Sequence, residues 1–130
     1  MSPAQWLARA LHTDVGVVEW LSGYGFTQVV EVPVYLRALR TRPTSDAHVA
    51  GAFWLALAPS AITHPFVWFA FPQLPVPYLT MVVLAELFAF GVEWAMLSAF
   101  GVPRAWLWSL GANALSLGLA LICRALVDWP

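Results

Sequence analysis

The chain has no lysine, one cysteine and few charges of either sign: only 10% of its 130 residues are charged. Soluble domains carry about 25% charged residues, so an ordinary water-facing surface is excluded. The one cysteine, Cys123, excludes an internal disulfide and a CxxC metal or redox motif. It reads as a small apolar helix residue. Six basic against seven acidic residues give a net charge of −1, which leaves no footprint for nucleic acid. The opening stretch "MSPAQWLARALHTDVGVVEWL" lacks a basic region leading into a compact apolar core and a cleavage site, so it does not read as a signal peptide. Absent lysine with abundant alanine is the codon signature of a GC-rich bacterial genome, and the expected location is the cell (inner) membrane.

What the chain does have is apolar length. It is 61% hydrophobic with eight Trp and eight Phe, and its mean hydropathy is +0.74. A membrane-spanning helix needs about 20 predominantly apolar residues. Four such stretches are expected, over residues 15–37, 49–71, 78–100 and 103–126. The segments "RALRTRPTSDAH", "PQLPVP" and "GVPR" connect them, turn-rich and short enough to make successive helices antiparallel neighbours. Gly101 suits a left-handed cap and Pro103 a helix start. Residues 3–12 read as an interfacial helix with Trp6, Leu7, Ala10 and Leu11 toward lipid. The expected fold is therefore all-α: a polytopic antiparallel bundle of four transmembrane helices with a short N-terminal interfacial helix. Residues 1–130 form one membrane domain. Arg37, Arg40, Arg42 and Arg104 outnumber Arg9 and Arg124, which places the first and third connections in the cytoplasm and both termini outside.

Polar residues inside these spans carry the functional question. Tyr24, Thr27, Gln28, Glu31 and Tyr35 share one helical face, which must look into the bundle. Glu86 and Glu93, seven apart, share a face of the third helix. A carboxylate at mid-bilayer costs roughly 2.5 to 3.5 kcal/mol on insertion scales, so both must be buried against protein. The fourth helix offers a stripe of Ala105, Ser109, Ala112, Asn113, Ser116 and Ala120, with Gly111 and Gly118 as close-approach positions beside it. In the second helix Pro59 and Pro65 leave the carbonyls of Leu55 and Ala61 unbonded, and Thr63 can bond back to Pro59.

Depth along the helices groups these residues. His64 and Glu86 each fall about 10–12 Å below the outer helix ends, level on helices joined by a tight hairpin. Glu31, Glu93 and Ser109 form an inner layer, with Asn113 between the two. Such layers serve either as pairs that fix helix register or as a proton relay of Glu, Glu and His at successive depths. Neither Glu-x-x-His nor HExxH is present, so no metal site is expected. Ser60 and His64, one turn apart, have no third member and no GxSxG turn, and read as a polar contact at a kinked helix. The candidate functional residues are Glu31, His64, Glu86, Glu93, Ser109, Asn113 and Ser116. No catalytic, cofactor-binding or metal-binding set is expected.

The segments "EVPVYLRALR", "THPFVWF", "AELFAFGVEW" and "RAWLWSLGANALSLGLAL" together resemble a widespread set of small four-helix prokaryotic membrane proteins. That pattern has Glu-x-Pro in helix one, Thr-His-Pro-x-x-Trp in helix two and Glu in helix three. Helix four has an Arg-Ala start and Ala-Asn-x-x-Ser. Here these are Glu31 with Pro33, Thr63 to Pro65 with Trp68, Glu86 with Glu93, and Arg104 with Asn113 and Ser116. The resemblance spans residues 27–121, implies the four-helix fold, points to these residues and brings no activity with it.

Three functions fit. The first is an accessory or interaction subunit of a larger membrane complex, its polar layers setting helix packing. The second is an oligomeric proton- or ion-coupled transporter or channel using His64 and the intramembrane glutamates. The third is a membrane-embedded enzyme. The first is favoured, because there is little extramembrane mass and no recognisable catalytic set. Expected partners are the lipid bilayer and either other membrane subunits or further copies of the chain. Trp54, Trp68, Trp94, Trp106 and Trp108 are candidate interfacial anchors or partner contacts.

Overall fold

The computed structural model describes residue 2, residues 14–43 and residues 49–129. The expected interfacial helix at 3–12 and the middle of the first connection lie outside the described residues. Four helices follow in order: α1 (Asp14–Leu39), α2 (Val49–Pro65), α3 (Tyr78–Ala99) and α4 (Ala105–Val127). A π-helical turn (Phe66–Ala70) and a 3-10 turn (Phe71–Gln73) extend α2 toward the hairpin into α3. Each helix packs on the next and α4 closes back on α1, giving an antiparallel bundle. Among the described residues there is no strand.

Three stretches, Gly51–Gln73, Tyr78–Ala99 and Ala105–Val127, are long and apolar enough to cross a membrane. At 1.5 Å per residue, 22 residues span about 33 Å, matching a hydrocarbon core of about 30 Å. The fourth, α1, has the length at 26 residues but carries the polar stripe. That stripe turns inward as its spacing requires. Glu31 and Tyr35 are buried, while Val29 is 75% exposed on the opposite face.

Apolar packing concentrates at one end of the bundle. Val32, Tyr35, Ala38 and Leu39 from α1 meet Ala56, Leu97, Val102, Ala105 and Ala112. The tight α3–α4 connection makes this possible. Gly101 adopts φ +80, its N–H donates to Ser98 O, and the N–H of Val102 donates to Leu97 O. This is the paired closure of a Schellman motif, and it brings Val102 and Leu97 together in the core. Helix α4 then starts two residues later than the sequence suggests. Arg104, at φ 53, interrupts the helical run after Pro103.

The buried residues of α4 are Ala105, Ser109, Ala112, Asn113 and Ser116, the small and polar stripe itself. Gly111 and Gly118 are not close-approach positions: a Cβ on either would meet nothing within 4 Å. The glycine that does permit close approach is Gly23 on α1, where a Cβ would lie 3.1 Å from the Trp68 ring. Outward faces are apolar, with Trp54, Leu79, Leu87 and Leu126 all more than half exposed, as lipid contact demands.

Candidate functional site

Two glutamates tie the four helices together. Glu31 of α1 is 2% exposed and Glu93 of α3 is 1% exposed. Glu31 accepts from the Ser60 hydroxyl of α2 and, at 2.6 Å, from the Ser116 hydroxyl of α4. Glu93 accepts from the Tyr35 hydroxyl of α1. It also accepts from Thr63 Oγ1 of α2 at 2.7 Å and from Asn113 Nδ2 of α4 at 2.6 Å. Glu93 alone therefore bonds to every other helix. A buried carboxyl costs several kcal/mol unless its oxygens are satisfied, and these oxygens are.

The supporting donors are themselves positioned by backbone. Asn113 Nδ2 also donates to Ser109 O at 2.9 Å. Thr63 Oγ1 lies 3.2 Å from Pro59 O, the back-bond that the proline arrangement predicts. Ser109 departs from the expected inner layer. Its hydroxyl donates to Phe90 O at 2.9 Å and reaches neither glutamate. Ser60, next to His64 in helical register, instead serves Glu31.

Above the network lies a cavity of about 190 Å³ to which all four helices contribute. Thr27, Glu31, Thr63, Glu93, Asn113 and Ser116 form its bonded side, and His64 and Glu86 face it as well. His64 and Glu86, level on neighbouring helices by their place in the sequence and so suited to interact, both line the cavity but are not hydrogen-bonded to each other. The His64 ring stacks on Trp68 with centroids 5.9 Å apart, and Tyr24 meets it edge-on at 5.4 Å. Trp20 of α1 completes this aromatic group at 6.4 Å. His64 Nδ1 is buried with no hydrogen-bond partner, as are Trp20 Nε1 and Gln28 Oε1. Glu86, on the far side, stands in the wall between this cavity and a groove on the bundle's outer face.

Of the seven candidates, the structure brings Glu31, Glu93, Asn113 and Ser116 into one bonded network and sets His64 and Glu86 on the cavity beside it. Sequence reasoning gave too little to Ser60 and missed the Trp20 and Gly23 contacts. Trp68 and Trp108 are only half-exposed. The first packs on Gly23 and His64 and the second against the apolar core, whereas Trp54 is 66% exposed. Among the described residues, no three His, Cys, Asp or Glu side chains gather to hold a metal. Comparison of the chain with protein-family models, with curated proteins and with solved structures returned no match.

Proposed function

We propose that the protein is a small proton-coupled transport or channel unit of the cell membrane, with Glu86 and His64 as its exchanging groups. The observation that carries this reading is an asymmetry. Glu31 and Glu93 are fully bonded and suffice to lock the helices, whereas Glu86 and His64 face the same cavity with no hydrogen bond between them. A scaffold needs the first pair. It gains nothing from a carboxyl and an imidazole held unpartnered at membrane depth, where each is costly and characteristic of proton and ion pathways. A single bundle encloses only a small cavity, so an oligomer fits this reading best.

The test is flux in proteoliposomes carrying a trapped pH indicator. Glu86→Gln and His64→Gln should each retain the helical fold and abolish pH-gradient-driven proton movement. Wild-type vesicles that move protons no faster than empty ones would overturn the proposal. The accessory-subunit reading draws support from the Glu31–Glu93 lock, which packs helices without any turnover, and from the exposed Trp54, Trp94 and Trp106. A stoichiometric partner retained on native purification in mild detergent would move the assignment there.

A further inference from the structure

A second cavity, larger than the polar one, lies on the outside of the bundle. A groove of about 960 Å³ runs along the outer face between α3 and α4, open to the lipid side. Leu79, Val83, Phe90, Leu110, Leu117 and Leu121 supply its apolar walls. Ligand sites of about 300–1,000 Å³ are characteristically apolar with a few convergent polar groups, and this groove has that make-up. Its polar groups are Tyr78, Glu86, Asn113 and Arg124. The Asn113 Nδ2 donor is already spent on Glu93 and on Ser109 O. Tyr78 is 68% exposed at the start of α3. Arg124 is also exposed, eleven residues or about 16 Å along α4 from Asn113, where its long side chain reaches lipid headgroups. Glu86 remains as the polar group at depth.

We propose that this groove binds a membrane-dissolved amphiphilic amine, its ammonium group paired with Glu86 and its apolar tail lying between α3 and α4. The occupant must be cationic at the depth of Glu86, because an anion is repelled there and a plain acyl chain leaves the carboxyl unpaired. A helix from a second copy of the chain does no better: among the described residues every arginine lies at a helix end or outside the helices, and lysine is absent. Val67, Trp68, Glu86, Asn113, Leu117 and Ala120 line both the groove and the polar cavity. An amine held at Glu86 therefore sits at the boundary between lipid and the interior of the bundle. This site goes beyond the proton-exchange reading and stands on the groove and Glu86 alone.

The experiment uses the purified full chain in phosphatidylcholine nanodiscs and a hydrophobic carbodiimide. A carboxyl oxygen adds to the central carbon of the N=C=N group while the acid proton passes to nitrogen. The resulting O-acylisourea rearranges to a stable N-acylurea that retains every atom of both reactants. Peptide mass spectrometry then locates the adduct. Glu86 should be labelled in preference to the enclosed Glu31 and Glu93. Dodecyldimethylammonium, a tertiary amine that cannot trap the O-acylisourea as an amide, should slow that labelling about tenfold, equivalent to 1.4 kcal/mol of binding, and dodecanol and dodecyl sulfate should leave it unchanged. Leu79→Trp, which narrows the groove two helical turns from Glu86, should abolish the protection by the amine. Equal protection by the alcohol would make the groove a general acyl-chain site and overturn the proposal, as would no protection by the amine. Loss of proton flux in liposomes with amine protection intact would remove only the transport reading.

Discussion

Thr63 and Ser116 each hold one hydroxyl proton between two acceptors. Thr63 Oγ1 lies 2.7 Å from Glu93 and 3.2 Å from Pro59 O. Ser116 Oγ lies 2.6 Å from Glu31 and 3.2 Å from Asn113 O. Rotating either hydroxyl toward its backbone carbonyl turns it from donor into acceptor for the glutamate. The network can therefore hold each glutamate ionised or neutral with the same heavy-atom positions. Glu93→Gln should accordingly cost under about 1 kcal/mol, because the amide keeps an oxygen for Tyr35 and Asn113 and donates to Thr63. Glu93→Ala strands the Tyr35 hydroxyl and opens a void, and should cost about 3 kcal/mol in detergent unfolding titrations. Combining Glu31→Ala with Glu93→Ala should fall short of additivity by about 0.5 kcal/mol or more, since both line one cavity. Strict additivity would separate them into two independent sites. The participating residue types were legible in the sequence, because Glu31 and Tyr35, and Asn113 and Ser116, repeat at helical spacing. Their partners were not. Ser60 bonds Glu31 across 29 positions and Ser116 bonds Glu31 across 85, and depth along a helix fixes the level of a side chain but not its direction.

At the scale of the element, punctuation governed what could be foreseen. Helices α1, α3 and α4 begin and end within two residues of their expected bounds, because Gly101 and the "PQLPVP" turn admit few alternatives, whereas α2 gives way after Pro65 to π-helical and 3-10 turns. The π-helical turn after Pro65 was foreseen only as a kink. It carries Trp68 onto Gly23 and so sets the aromatic group around His64. A lone glycine in a polar-striped helix gives no sign that a tryptophan from another helix will cover it. Two substitutions test these junctions. Gly23→Leu drives a branched side chain into the Trp68 ring, and should destabilise the bundle by about 1–3 kcal/mol as overpacking does, with a shift in tryptophan emission. Gly101→Ala places a Cβ at φ +80, where the space is open but the backbone is strained. It should cost about 1 kcal/mol and leave the emission unchanged. An emission shift in Gly101→Ala and none in Gly23→Leu would mean that Trp68 is not seated on α1.

Taken whole, the molecule is polar at its centre and apolar at its surface, with its positive charge gathered at one end. The C-terminal end of α1 and the start of α4 lie together there, so Arg37, Arg40, Arg42 and Arg104 share that end of the bundle. Arg124 lies at the other end, and Arg9 is outside the described residues. Arginine is retained on the cytoplasmic side during insertion, so the end bearing four should face the cytoplasm. Accessibility tags after Pro130 and within "RTRPTSD" should then report opposite sides of the membrane, the Pro130 tag outside. Helix α1 is the hinge of this argument. Its polar stripe makes it the least apolar of the four, and its insertion depends on α2 and α4 covering Glu31 and Tyr35. Replacing Arg40 and Arg42 with Gln removes the whole two-residue excess at that end, leaving Arg37 and Arg104 against Arg9 and Arg124. That variant should show mixed orientation, with both tags labelled from both sides in part of the population. An unchanged single orientation would show that packing of α1 into the bundle, and not arginine, decides which way the protein faces.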